Sequence, residues 1–276
     1  MIDWLRNGLC LAMVVAMAPL THAAEPTATQ PIAHRGLLKH SPENTLANFA
    51  TCRLLRLGFE FDVRRSKDGT LICLHDDTLD RTTNGKGQAS ERTVAELFQL
   101  DAGAWFDLAF RGERIPTLEQ VCKLIATAPS ETAFYTADLK GDDDKLEADI
   151  VALAKEQRAL SKVLFIGRAI DHPEVRSRLR KADPTCHVAA LAQTAADVQK
   201  AIVDQDSDWV YLRFVPERDL VTKINAAGKR TIIAGTTVSG EEPENWSRCA
   251  AAGVDLVLTD YPLEFRTKSK AARHNK

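Results

Sequence analysis

Along most of the chain, short apolar runs alternate with longer stretches whose apolar residues recur at helical spacing. The runs that read as strands are "PIAHRG" (31–36), "FEFDV" (59–63), "LICLH" (71–75), "AFYTADLK" (133–140), "KVLFIGR" (162–168), "HVAALA" (187–192), "DWVYLR" (208–213), "RTIIAG" (230–235) and "DLVLTD" (255–260). The stretches 43–57, 117–128, 144–159, 173–181, 195–204, 217–227 and 244–252 read as helices. Gly58, Gly228 and Gly253 stand where a helix C-terminus favours glycine. "SPEN" (41–44) predicts the start of the first helix, with Ser41 as N-cap and Pro42 in the first turn, while Glu43 and Asn44 are also candidates to support the rim where the strands end. Alternation of this kind predicts an α/β chain built from parallel β/α units.

One interval breaks the rhythm. Only "RRSKDGT" separates "FEFDV" from "LICLH", too little for a helix, and Asp68-Gly69 predicts a two-residue hairpin turn. Such a turn pairs Asp62 with His75, and Glu60, two residues before Asp62, shares its face. Setting the hairpin strand aside leaves eight strands, the number of a TIM (β/α)₈ barrel. The hairpin and the long segment 77–115 would then lie at its catalytic mouth.

Composition fits this picture for all but the ends. The 276 residues are 45% hydrophobic and 27% charged, with a net charge of −2. That is ordinary globular composition and predicts no nucleic-acid partner. The start is different: Arg6, the apolar "LCLAMVVAMAPL" (9–20) and the small residues of "THAA" predict a secretory signal peptide, residues 1–23, cut near Ala23. A periplasmic or secreted protein without a stable membrane anchor is expected, with one barrel domain over 24–265. Residues 266–276 hold five basic side chains and no acid, and read as a solvated basic tail. The cysteines after the signal (Cys52, Cys73, Cys122, Cys186 and Cys249) are odd in number and widely spaced, which predicts no disulfide framework and leaves a single bridge open.

Two carboxylates on one strand face repel each other. Read from spacing alone, Glu60 and Asp62 are either ligands of a hard cation or a solvated face neutralised by Arg64 and Arg65. The other strand ends favour the cation. Asp138 and Lys140 share a face at the end of the fourth long run, and His34 and Arg35 end the first. A barrel would bring all of them to the rim where its strands end, a combination no core needs. Two histidines can act as general base and general acid near neutral pH, and Arg35 with Lys140 can hold an anionic phosphoryl group. Metal-assisted phosphodiester cleavage is the reaction class this set suggests.

Other segments are less decisive. "RTTNGKG" (81–87) fits a phosphate-binding loop or a plain turn. Trp105, Phe106 and Phe110 either wall the pocket or anchor their loop, and Asp260 either orients a histidine or caps a loop. His40 is a minor substrate-contact candidate, while His172 and His187 fall off the rim.

"IAHRG…SPENTLANF", "GFEFDVRRSKDGTLICLHDDTLDRTTNGKG", "LDAGAWFDLAFRGERIPTLEQV" and "GVDLVLTDYP" together resemble the glycerophosphodiester phosphodiesterases, phospholipase-C-like TIM-barrel enzymes. The likeness is dense over about 31–121 and returns at 253–262. It implies His34 and His75 as the acid/base pair and one divalent cation, Ca²⁺ or Mg²⁺, on Glu60, Asp62 and Asp138. Arg35 and Lys140 would contact the phosphate of a small-molecule diester, and the products would be glycerol 3-phosphate and an alcohol. Two departures bear on this: Asp138 stands where the family usually has Glu, and "AGTT" (234–237) replaces its "W-T-V-N", removing an aromatic wall. Alternatives are a lysophospholipid, sphingomyelin-type or sugar-phosphate diester as substrate, or a barrel that only binds.

Overall fold

Each of the nine apolar runs forms a strand. They are β1 (Gln30–Ala33), β2 (Gly58–Arg65), β3 (Leu71–Cys73), β4 (Tyr135–Leu139), β5 (Val163–Ile166), β6 (His187–Ala192), β7 (Trp209–Leu212), β8 (Arg230–Ile233) and β9 (Leu256–Thr259). The computed structural model describes residues 28–128, 134–141, 143 and 145–274; the expected signal peptide, residues 1–23, lies outside them. Around the ring the order is β1-β2-β4-β5-β6-β7-β8-β9, all parallel and closed by the pairing of β9 with β1. This is an eight-stranded (β/α)₈ barrel. β3 stands outside the ring, antiparallel to β2.

The helices are α1 (Leu46–Leu54), α2 (Val94–Leu97), α3 (Leu118–Ala126), α4 (Leu146–Glu156), α5 (Pro173–Ala182), α6 (Val198–Val203), α7 (Arg218–Ala226), α8 (Thr236–Ser239), α9 (Pro243–Ala252) and α10 (Pro262–His274). Among the described residues no helix is long and apolar enough to cross a membrane.

Strand periodicity decides what each face carries. On β2, Phe59, Phe61 and Val63 point outward and pack with Phe49, Val121 and Tyr135 in the layer between sheet and helices. Phe49 stacks on Phe59 with centroids 4.3 Å apart, and Tyr135 meets Phe59 edge-on at 4.6 Å. Glu60 and Asp62 therefore point inward. The inward faces further round the ring are apolar: Leu164, Ile166, Tyr211, Ile232 and Leu258 form the barrel's inner core.

Three expectations need correction. The β2–β3 turn holds three residues instead of two: Val63 pairs with Cys73, and Ser66 N–H donates to Thr70 O at 2.9 Å around Lys67-Asp68-Gly69. Only Gly69 is left-handed (φ +85), so the turn lacks the second positive-φ residue that a type I′ turn needs. The register moves by one, and the backbone carbonyl of Asp62 accepts from Leu74, not His75. The first helix starts at Leu46 and not at "SPEN"; its N-cap is Thr45, whose hydroxyl accepts from Asn48 N–H. It ends before Arg56 (φ +55), and Gly58 already belongs to β2. Lastly, the expected tail from 266 onward continues α10 as far as His274.

The segment 77–115 is a folded excursion rather than an open loop. Leu79, Ala89, Leu97, Ala102 and Ile115 bury a small core of their own against Ile72 and Leu74. In "RTTNGKG", Asn84 N–H donates to Asp101 O, Gly85 N–H to the Thr83 hydroxyl and Gly87 N–H to Asp80. Those donors are spent within the segment, so it is a turn. Cys52, Cys73, Cys122, Cys186 and Cys249 are all buried free thiols.

Candidate active site

Register brings the three acids together. β2 and β4 pair Asp62 with Asp138 and Glu60 with Thr136, all on the inward face, with Asp138 one residue from the C-terminal end of β4. Glu60, Asp62 and Asp138 each offer an oxygen, and these lie within 4.8 Å of one another. Glu60 and Asp62 are almost fully buried. Asp62 Oδ1 and Asp138 Oδ1 are buried with no hydrogen-bond partner. Buried carboxylate oxygens are normally satisfied, and orphaned ones converging on a point suit a hard divalent cation. The donor set therefore fits a metal.

Electrostatics agree. Burial pushes Glu60 well above its ordinary value near 4.5, with the Asp62 and Asp138 charges adding to the rise. Burial also raises Asp138. It acts on Asp62 too, but Lys140, His75, Arg35 and the Asn44 amide outweigh it and hold that carboxyl low. Three carboxylates cannot all stay charged so close together without a counter-ion. Lys140 supplies part of one: its Nζ donates to Asp138 Oδ2 at 2.7 Å and lies 3.2 Å from Asp62 Oδ1, outside hydrogen-bond geometry.

The first β/α loop clamps the cluster. Arg35, left-handed at φ +50, donates its backbone N–H to Glu60 Oε2 at 2.8 Å. Asn44, also left-handed, donates its amide to Asp62 Oδ2 at 2.8 Å and accepts from Asp62 N–H at 3.2 Å. Asn48 ties the loop from beneath, accepting from Leu37 N–H and donating toward the carbonyls of Arg35, Ser41 and Pro42.

Each histidine is held by one ring nitrogen. His34 Nδ1 lies 2.7 Å from Asp260 Oδ1, and His75 Nδ1 lies 2.7 Å from Asp76 Oδ1. An ionised carboxylate only accepts, so Nδ1 carries the proton in both and Nε2 is left for chemistry. Both side chains are partly open to the mouth. Asp76 in turn accepts two bonds from Arg81, at 2.7 and 3.0 Å, and Arg81 also grips Glu43 at 2.7 and 2.8 Å. Arg81, more than His75, holds the Asp76 carboxyl far below its usual range. Glu43 closes the chain by accepting from Arg35 at 3.0 Å.

All seven residues singled out in the sequence (His34, Arg35, Glu60, Asp62, His75, Asp138 and Lys140) reach the mouth. Asp260 proves to be an orienting residue. Glu43 and Asn44, the rim candidates within "SPEN", do brace the site, while Asn48 and Arg81 carry more of the geometry than their motifs revealed, since Asn48 lies inside the first helix and Arg81 opens a turn. Trp105 both anchors and lines: its Nε1 donates to Ala102 O at 2.9 Å, while its ring, with Phe106, walls a depression shared with His34, Arg35 and Arg81. His40 is exposed on the first loop, and His187 pairs with Asp208 at the start of β6, away from the mouth.

Residues 34–264 match the glycerophosphoryl diester phosphodiesterase family. The chain belongs to this family. It is 51% identical over 239 residues to a glycerophosphodiester phosphodiesterase of Caldanaerobacter subterraneus subsp. tengcongensis, covering 84% of this chain and 93% of that one. With a glycerophosphodiester phosphodiesterase of Bacillus subtilis it shares 33% over 288 residues, covering 96% of each. Among solved structures, a glycerophosphodiester phosphodiesterase from Agrobacterium tumefaciens aligns with TM-score 0.74 at 26% identity, covering 87% of this chain and 99% of that one. An Oleispira antarctica phosphodiesterase in complex with the product sn-glycerol-3-phosphate aligns with TM-score 0.71 at 26% identity, covering 88% and 97%. The chain is thus an enzyme, and glycerophosphodiester hydrolysis is its activity class.

Proposed function

We propose that the protein hydrolyses glycerophosphodiesters to glycerol 3-phosphate and an alcohol, with His34 and His75 exchanging the protons. The observation that carries this reading is the pair of histidines, each fixed through Nδ1 by its own aspartate beside one three-acid cluster. Glu60, Asp62 and Asp138 would hold a divalent cation, Ca²⁺ or Mg²⁺, which when bound polarises a phosphoryl oxygen and stabilises developing charge.

The remaining work falls to this chain's own groups. Arg35 and Lys140 flank the cluster and balance the phosphate charge. One histidine takes the proton from the glycerol hydroxyl next to the phosphate through Nε2. As that oxygen bonds to phosphorus, the bond from phosphorus to the alcohol breaks, and the other histidine gives its Nε2 proton to the departing oxygen. Water then opens the cyclic phosphate with the two roles exchanged. Asp260 and Asp76 keep each imidazole in the required tautomer and stabilise its charged form.

Replacing either histidine tests the assignment. His34→Ala and His75→Ala should each lower kcat by about 10²–10⁴ while the folded state persists. Turnover left intact in either variant would remove that residue from the proton path. We further propose export, with residues 1–23 cleaved; N-terminal sequencing of the protein recovered outside the cytoplasm should begin at Ala24.

A further inference from the structure

Across the mouth from the acidic strand stands a cation that the hydrolytic scheme does not use. In the ring of eight, β7 lies four places from β2, so its inward face rises opposite Glu60 and Asp62. Trp209 and Tyr211 belong to the barrel's inner core, and Arg213 continues their face two residues on, exposed at the rim. Its Nη1 donates to the Tyr211 hydroxyl at 3.0 Å, and the guanidinium carbon lies 5.7 Å from the centre of that ring.

Two features mark Arg213 among the mouth cations; Lys39, over the Tyr261 ring, shares the first of them. Arg35 and Arg81 are bound to Glu43, Arg64 to Asp77 and Lys140 to Asp138. Arg213 touches no carboxylate among the described residues; the Tyr211 side chain is its partner. The loop after β8 also makes room for it. Gly235 has φ +117, and a β-carbon there would lie 3.3 Å from Arg213 Nε and 3.4 Å from Cζ and Nη2. The preceding residue, Ala234, is small and buried. A guanidinium thus occupies the space where a larger side chain on this loop would stand, and it keeps N–H donors unspent toward the mouth.

We propose that Arg213 determines head-group specificity, selecting glycerophosphodiesters whose alcohol presents oxygen acceptors (hydroxyls or an anionic group) over those whose alcohol is a quaternary ammonium such as choline. The proposal rests on the hydrolytic reading above and names its substrate class. The phosphate is already matched by Arg35, Lys140 and the cation that the acidic cluster would hold, on the β1–β2–β4 side. A diester long enough to cross the mouth brings the group beyond its phosphate toward β7. There a guanidinium offers parallel donors to hydroxyl or carboxylate oxygens and repels a trimethylammonium.

The test compares kcat/KM for glycerophosphoinositol, glycerophosphoglycerol and glycerophosphocholine in wild type, Arg213→Ala, Arg213→Lys and Arg213→Glu, with divalent cation present. Wild type should favour the two hydroxyl-rich substrates over glycerophosphocholine. Arg213→Ala should shrink that ratio about tenfold or more, the size expected for losing a charged hydrogen bond. Arg213→Lys should keep part of it, and Arg213→Glu should reverse it. An equal fall for all three substrates in Arg213→Ala would assign the residue to the shared glycerol or phosphate and overturn the proposal, as would a wild type that prefers glycerophosphocholine. Those outcomes leave hydrolysis standing. Wild type that turns over none of the three would instead sink the hydrolytic reading and this proposal with it.

Discussion

Asp62 depends on neighbours that contribute no charge. Asn44 holds Asp62 at two points, donating to its carboxylate and accepting from its backbone N–H, and groups that orient a ligand in this way typically account for about 10–100-fold in metal affinity. Asn44→Ala should therefore weaken Ca²⁺ or Mg²⁺ binding by about that factor, read by calorimetric titration of the chelator-treated protein. Unchanged affinity would remove Asn44 from this role. Asp138 is constrained by Gly167, where a β-carbon would sit 1.9 Å from Asp138 Oδ1 on a backbone at φ +105. Gly167→Ala should displace that carboxylate and lower metal affinity more than Asn44→Ala does; wild-type binding in this variant would show that the side chain relaxes elsewhere. The departure from Glu to Asp at this position is legible in the sequence. The glycine just past the end of β5 that leaves room for its carboxylate is not, because contact across strands has no linear signature.

The β2–β3 hairpin shows how far local signals carry at the scale of elements. Asp68-Gly69 correctly marks the reversal, and the short interval correctly forbids a helix. The choice between a two- and a three-residue turn depends on whether Asp68 adopts positive φ, and it does not. Gly69 has open space around its Cα, so its requirement is conformational alone. Gly69→Ala should cost about 1–2 kcal/mol in urea unfolding, and Gly69→Asn less. The sequence places the helix start too early for a related reason: "SPEN" has helix-starting character, but Glu43 and Asn44 are committed to the rim, leaving Thr45 as the cap. Glu43 joins the first loop to the 77–115 segment through Arg35 and Arg81. Burial opposes its ionisation, yet the two guanidinium groups win and hold its carboxyl below the ordinary value. A depressed folded-state pKa stabilises the protein above the unfolded value of about 4.5, and that contribution fades as pH falls through the folded one. Urea midpoints should thus decline toward acid more steeply in wild type than in Glu43→Gln; parallel profiles would contradict the linkage.

For the whole molecule, the barrel was legible because strand–helix rhythm and length leave few other closed arrangements. Acids on β2 were legible because they interrupt a strand that is otherwise buried on both faces. The network Arg35–Glu43–Arg81–Asp76–His75 was not, since it joins residues up to 38 positions apart through folded loops. The buried thiols report on the integrity of the whole fold: burial pushes Cys52, Cys122 and Cys249 up to about 12. They should resist Ellman's reagent in the native protein and react on unfolding, and fast native reaction would mean the helical layer opens. The central claim is that three carboxylates hold the cation on which phosphodiester cleavage depends. Its most direct test follows glycerol 3-phosphate release from a glycerophosphodiester by EDTA-stripped protein, before and after adding Ca²⁺ or Mg²⁺, beside Asp62→Asn. The account predicts turnover that vanishes with the metal, returns with one of the two ions, and does not return in Asp62→Asn. Undiminished turnover in EDTA, or full rescue of the variant, would contradict it.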